Sequence, residues 1–422
     1  MIIGKVDRFR IVKQTAVRAI IVILLAITVA GCGDTLSGRP VPGEIDVRDL
    51  DTGNYPTLAV DAHDDPIDAP FYDMAQVAGM RLADFTATAD EIDPSIKYNL
   101  HYDVSYKLID TDLDRFGTDL GKIAKSNRFL YAFSTGGSSS PISISRSAGQ
   151  WPKKHERGAS TINTLILQLP DSAAAERTAQ QLYDADLAHF KDKNQPVELG
   201  KYPNARSHWN PESTFIRSTI ARSSYVVVFL ISAPTSDLPS LTTLTEKAYD
   251  TQLPLLDLLP PISDMEVLSL PWDPDRLVVR AMDPLNSGRP SLNDSALNVG
   301  MRGILHSAPD RGTARSSYTA MDAVRFGTAG ESIVVRTENY DTARKAVTDK
   351  LFPVSTIRTA DPVPNIPDST CAETAEKFGL ARFDRFVCMV AYHNFVGIVQ
   401  SDQLIDVHQR AAAQYSILAN GR

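Results

Sequence analysis

The residues best equipped for chemistry in this chain are three cysteines, eight histidines and a scatter of acidic clusters. Nucleophilic catalysis needs a Ser or Cys beside a general base, and local motifs usually reveal one. Here there is no Gly-x-Ser-x-Gly elbow, no Ser-x-x-Lys and no Cys paired with a His in a familiar arrangement. The histidines, at 63, 101, 155, 189, 208, 306, 393 and 408, form no His-Glu-x-x-His and no helical pair suited to zinc. Gly136-Gly137-Ser138-Ser139-Ser140-Pro141 lacks the lysine of a phosphate loop, and Gly327-x-x-Gly330 is too short for a dinucleotide fingerprint, so both read as turns. Asp61, Asp64, Asp65 and Asp68 do not fit the spaced ligands, central Gly and terminal Glu of a calcium loop and read as solvated. Aromatic and polar residues gather at Tyr202, His208 and Trp209 and again at Tyr392, His393 and Phe395. A cleft forms if the regions carrying them face each other; core packing explains the same residues without a ligand. No catalytic residue, cofactor or metal site is expected.

The N-terminus carries the clearest covalent signal. Lys5, Arg8, Arg10, Lys13 and Arg18 stand against the single acid Asp7, and an uncharged run from Ala19 to Gly31 follows. This is the layout of a signal peptide. Thirteen residues rise only about 20 Å as a helix, short of the roughly 30 Å hydrocarbon core. Val29-Ala30-Gly31-Cys32 closes the run and resembles the bacterial lipobox. That resemblance implies a diacylglycerol thioether on Cys32, cleavage before it, and attachment to the outer face of the cytoplasmic membrane. Two or three acyl chains, at about 0.8 kcal/mol per buried methylene, make such attachment lasting.

Taking 31 residues from 422 leaves 391, and it removes five bases and one acid, so the formal charge moves from −8 to −12. An acidic body is repelled by an anionic membrane surface, leaving the lipid as the attachment, and its charge argues against nucleic-acid partners. Cys371 and Cys388 then lie in a compartment where thiols oxidise. The simplest reading is a disulfide closing a loop of about 17 residues, with Cα atoms about 4.4 to 6.8 Å apart. A metal pair or a reactive thiol are the alternatives, but a metal site needs further ligands and none shows the expected spacing.

These groups must be positioned by elements legible in the pattern of the chain. From Gly33 to about Pro70 the sequence is rich in Asp, Gly and Pro and reads as an acidic tether, though Asp46 to Thr57 is too specific for a generic spacer and is expected to pack on the body. Beyond it runs a weak repeat with an offset near 169 residues. One copy has a strand at Thr161 to Leu169, a cap at Asp171, a helix marked by Ala175, Ala179 and Leu182, strands at Phe215 to Ala221 and Tyr225 to Ile231, and a helix at Leu241 to Leu253. The other has a strand at Ser332 to Thr337, a cap at Asp341, a helix marked by Ala343, Ala346, Val347 and Leu351, strands at Phe383 to Tyr392 and Phe395 to Val399, and a helix at Gln403 to Leu418. The expected fold is α+β, two similar modules, each an antiparallel sheet covered on one face by helices. The Pro-rich stretch from Leu253 to Asp275 separates them. The division is thus 1–31 signal peptide, 32–70 tether, 71–260 first module and 261–422 second module.

The lipobox, the Asp46 to Thr57 stretch, Phe326-Gly327-Thr328-Ala329-Gly330-Glu331-Ser332 with Ile333-Val334-Val335-Arg336, the two C-terminal cysteines, and Asp406-Val407-His408-Gln409-Arg410-Ala411-Ala412-Ala413-Gln414-Tyr415 together resemble an uncharacterised family of actinobacterial, mycobacterial-type lipoproteins. The resemblance implies a cell-envelope address and transfers no catalytic residue. The leading expectation is a non-enzymatic envelope lipoprotein that binds a hydrophobic or glycosidic component or another protein. The rivals are a lipid or glycan hydrolase whose triad is assembled from distant residues, and a scaffold that regulates a membrane partner.

Overall fold

A computed structural model describes residues 45–59, 70–105, 116–141, 158–189, 191–283, 297–374 and 385–421, with the backbone alone at 70–74 and 103–105. The signal peptide, Cys32 and the acidic cluster at 61–68 lie outside the described residues. Asp46–Arg422 forms one compact unit.

Two short helices, α1 (Pro70–Asp84) and α2 (Ala89–Ile92), lead into the first module. It runs β1 (Tyr98–Ser105), α3 (Leu120–Ser126), β2 (Tyr131–Ser138), β3 (Thr161–Gln168), α4 (Ser172–His189), β4 (Gln195–Val197), β5 (Arg206–Trp209), β6 (Phe215–Arg222), β7 (Tyr225–Ser232) and α5 (Leu238–Asp257). After α6 (Asp264–Val267) the second module runs β8 (Leu297–Val299), α7 (Met301–Leu305), α8 (Arg311–Ala320), β9 (Ala323–Ala329), β10 (Ser332–Thr337), α9 (Tyr340–Thr348), β11 (Thr356–Ala360), β12 (Ser369–Thr374), β13 (Phe386–Tyr392), β14 (Phe395–Ser401) and α10 (Leu404–Asn420). No helix among the described residues is long and apolar enough to cross a membrane.

The first sheet has the order β1-β2-β3-β7-β6-β5-β4 and the second, read from its other edge, β8-β9-β10-β14-β13-β12-β11. Element for element these are the same order, and every pairing in both is antiparallel. The molecule is therefore built from two similar α+β modules, with equivalent elements from β3 and β10 onward starting about 170 residues apart.

Helices pack on both faces of each sheet, a layer beyond the single covered face read from the sequence. On β7, Val226 and Val228 point to one side, where they meet Leu165, Leu167 and the α4 residues Ala175, Ala179 and Leu182. Val227, Phe229 and Ile231 point to the other and meet Leu241, Ala248 and Tyr249 of α5. All eight residues of β7 are buried, which is why its sequence is a continuous apolar run and not an alternation. In the second module Val387, Met389, Val396 and Ile398 meet Ala343 and Ala346 of α9, in the same continuous core as the α5 side of the first module. The α10 face looks the other way, with Leu418 against Leu277, Ala329 and Val334. The two modules thus join through non-equivalent faces, head to tail.

Three local expectations are corrected. Gly136 and Gly137 do not form a turn but lie inside the fully buried β2. A Cβ on Gly136 would sit 2.6 Å from both Asn163 and His101, and one on Gly137 2.4 Å from Ala89 and 2.7 Å from Arg311, so bare backbone is required by what crosses it. Gly327 likewise belongs to β9, while Gly330 makes the turn after it with φ +57°. Helix α9 is capped by Asn339, whose side chain accepts from the Thr342 amide, and Asp341 falls in its first turn. Asp171 does cap α4, accepting from the Ala174 amide at 2.7 Å.

Cys371 and Cys388 are bonded and face each other directly across β12 and β13. Their Cα atoms are 4.1 Å apart, tighter than the expected window. The reason is register. The amides of Thr374 and Ala391 bond to Arg385 and Asp368, and two-residue alternation from there makes 371/388 a non-hydrogen-bonded pair, the kind whose Cα atoms approach to about 4.5 Å. Replacing both by serine is expected to cost about 3 kcal/mol in urea unfolding, the value of a loop of this size. Alkylation of the untreated protein should modify neither, and a free thiol at either position would contradict the bond.

Candidate functional site

The stretch Asp46 to Thr57 folds onto α10. A short 3-10 turn, Val47–Asp49, begins it, with Asp46 accepting the Arg48 amide and the Arg48 guanidinium; those bonds hold the Asp46 carboxyl down at about 2. Leu50 is buried. Tyr55 is the centre of the contact. Its hydroxyl donates to Asp406 Oδ1 at 2.7 Å and accepts from Arg410 Nε at 3.2 Å, while the Arg410 guanidinium lies 5.7 Å from the Tyr55 ring centroid. Arg410 also pairs with Asp406 at 2.8 Å and donates to the Gln400 carbonyl. Burial alone would raise the Asp406 carboxyl, but Ser401, Tyr55 and Arg410 together hold it below the usual carboxylate range. Gln409 donates to Asp51, and Asn420 to the Thr57 carbonyl. The segment and the end of α10 enclose an open pocket of about 510 Å³, lined by Asp46, Val47, Arg48, Leu50, Thr52, Thr57 and Asn420. Its size suits a small ligand. Its lining pairs two apolar side chains with one acid, one base and neutral hydrogen-bonding groups.

The residues expected to line a cleft go elsewhere. Tyr202 packs at a tilt against Tyr249 with ring centroids 5.0 Å apart and donates to Asp250, and its hydroxyl is pushed up to about 12 by burial and that carboxylate. His208 and Trp209 are consecutive in β5, so the two-residue period sends them to opposite faces. His208 goes to the α4 side and Trp209 to the core beneath α5. Tyr392 packs on Tyr415 and the α10-side cluster, and His393 occupies the β13–β14 turn with φ +50°. Tyr392 packs in the α10-side cluster of the second module while Tyr202 and Trp209 pack against the core on the α5 side of the first, so among the described residues these contacts do not bring the two groups together.

Two buried polar clusters escape any sequence motif. In the first module Asp186 Oδ1 pairs with Arg217 at 2.8 Å and accepts the Thr118 amide at 2.6 Å, and Oδ2 lies 3.7 Å from His208 Nε2. Burial pushes the Asp186 carboxyl up, and His208, Arg217 and Thr118 overcome it, leaving the group ionised below the usual range. This is a histidine beside a carboxylate, but both are sealed, at 4% and 3% side-chain exposure, and the carboxylate is spent on a guanidinium. At the joint, Arg311 is fully buried. It crosses from α8 to the first sheet to donate to the Gly136 carbonyl at 2.8 Å and to Asn99 at 3.3 Å, and donates to Leu305 on its own side. His306 beside it uses Nδ1 toward the Thr135 hydroxyl at 3.0 Å and Nε2 toward the carbonyls of Ala83 and Thr86. Carbonyl oxygens only accept, so Nε2 carries the proton and Nδ1 accepts.

The fold and these sites define a two-module α+β protein with a folded leader segment strapped to its second module. Residues 67–272 match the family described as "Domain of unknown function (DUF7373) N-terminal" and residues 275–421 its C-terminal counterpart, and the chain belongs to this family. No curated protein matches it. A solved structure to which it is similar is the extracellular domain of PknH from Mycobacterium tuberculosis, at 9% identity and a TM-score of 0.28, covering 41% of this chain and 94% of that one.

Proposed function

We propose that this DUF7373 protein is a cell-envelope lipoprotein, held at the outer face of the cytoplasmic membrane by lipid on Cys32, whose body, with modules at 71–260 and 261–422, binds an envelope ligand or protein without catalysis. The observation that carries this reading is the seating of Asp46 to Thr57 on α10 through Tyr55, Asp406 and Arg410. A chain that begins at a lipidated Cys32 has only a short stretch before this seat, so the body is held close to its anchor and not on a long free leash. The pocket beside the seat, mixed in polarity and open, is the place for a small polar or glycosidic group, and the sealed state of the Asp186–His208 pair supports a binding role over hydrolysis.

The test begins with Cys32→Ala. Wild type is expected in the membrane fraction, with a fatty-acid label on its N-terminal peptide; the variant is expected to lose both. Acylation that persists in the variant would refute the anchor. Small molecules extracted from natively purified protein should then be fewer in Arg48→Ala than in wild type, and equal recovery would remove the pocket from the reading.

A further inference from the structure

The disulfide does not stand alone. Cys388 is opposite Val399, and Val399 shares its face of β14 with Gly397, which lies under Gln414 of α10. Both sulfurs therefore project beneath α10, where His408 meets them: a ring nitrogen of His408 and the two Sγ atoms all lie within 4.8 Å of one another. His408 Nε2 donates to the Asp361 carbonyl at 2.9 Å. That bond fixes the tautomer and leaves Nδ1 with its lone pair, the outer-shell arrangement by which a metal-binding histidine is usually oriented.

We propose that, once the Cys371–Cys388 bond is reduced, the two thiolates and His408 Nδ1 form a three-ligand site for a thiophilic divalent cation of the Zn²⁺ type. A dithiol reductant supplies two electrons and two protons: its own two sulfurs join in a disulfide as the Cys371–Cys388 bond breaks to two thiols. Binding of the cation then releases both thiol protons. The scaffold needs little change. Opposed cysteines on one face separate their sulfurs by rotation about the side-chain bonds, and zinc sits about 2.3 Å from sulfur and about 2.0 to 2.1 Å from imidazole nitrogen. Both cysteines are fully buried, while His408 is half-buried and leaves the approach from its own side. Among the described residues the group contains no fourth His, Cys, Asp or Glu, so water completes the shell, as in open zinc sites. Oxidation of the pair to the disulfide removes two of the three ligands, which makes cation binding dependent on redox state.

The experiment uses the full-length chain carrying Cys32→Ser, so that Cys371 and Cys388 are the only cysteines, with and without reduction by a dithiol that is then removed. Co²⁺ is added as a spectroscopic probe and displaced by Zn²⁺. The reduced protein should bind one Co²⁺ with thiolate-to-metal charge-transfer absorption and the oxidised protein none. His408→Ala, at a half-buried position, should weaken Zn²⁺ affinity at least tenfold in the reduced state. An absent band in the reduced protein, or equal affinity in His408→Ala, overturns the proposal. Should reduction unfold the chain, Zn²⁺ is expected to restore its circular dichroism in the parent and not in His408→Ala, and failure to restore it in the parent likewise overturns the site.

Discussion

Asp186→Ala is expected to destabilise the protein by about 3–5 kcal/mol, the cost of breaking a buried ion pair from one side. The carboxylate is 3% exposed and holds Arg217, whose side chain is 16% exposed, together with the Thr118 amide and the neighbouring His208. Removing it leaves the guanidinium with a buried Nε that already has no acceptor, and it orphans an amide at 2.6 Å. The damage comes from the uncompensated cation and not from lost volume. Adding Arg217→Met should therefore recover part of the loss, because an apolar replacement of similar length needs no counter-charge. Urea unfolding of the two single variants and the double variant measures this. A loss under about 1 kcal/mol in Asp186→Ala, or strict additivity in the double variant, would show that the pair is not what holds α4 to β5 and β6.

The second large effect is a dependence of stability on pH set by His306. Burial first, and then the nearby Arg311, depress its imidazole to about 3. A histidine in the unfolded chain titrates near 6.5. Above that value neither state is protonated and the full stability is present. As pH falls through 6.5 the unfolded chain takes up a proton that the folded one refuses, so stability falls by about 1.4 kcal/mol per pH unit until about pH 3, roughly 4–5 kcal/mol in all. The lowered carboxylates Asp186, Glu91 and Asp406 add a loss of the same sign at lower pH. The window from pH 6.5 to 4.5 therefore lies above the carboxylates, and His306 contributes about 2–3 kcal/mol to the fall across it. His306→Gln, which removes this titration, should lessen the fall across that window by about 2–3 kcal/mol. An unchanged slope in the variant would assign the effect to other groups.

These two clusters also mark where the sequence stops being informative. Strand β7 was legible because both its faces are covered and its residues run apolar from Tyr225 to Ile231, and β3 because its apolar residues alternate with polar ones. The duplication was legible through the spacing of such runs. Strand β2 was not, because Gly136 and Gly137 replace apolar side chains where Arg311 and His101 cross the sheet, and two glycines before serines look like a turn. Helix α8 reads as a polar surface helix, Arg-Gly-Thr-Ala-Arg-Ser-Ser-Tyr, yet Arg311 and Tyr318 are among the largest fully buried side chains. Burial of a guanidinium depends on carbonyls supplied by a strand far away in the chain, and no local pattern encodes that. The same holds for His408, whose proximity to Cys371 and Cys388 follows from how α10 lies across β13 and β14. The residues grouped as a cleft were drawn from separate faces: strand alternation splits His208 from Trp209, and Tyr392 packs on the α10 side with Tyr415.

That joint has a consequence for assembly. A contact between unlike faces does not close on itself; like a stack of repeats, it leaves at one end a surface of the kind already used inside. In this chain the open end is the α10 face, the counterpart of the α5 face that the second module covers. The Asp46 to Thr57 segment lies over it with Asp51, Tyr55 and the Thr57 carbonyl bound to Gln409, Arg410 and Asn420. The outer face of the second module is thus covered from within the same chain, by a segment that precedes both modules in sequence.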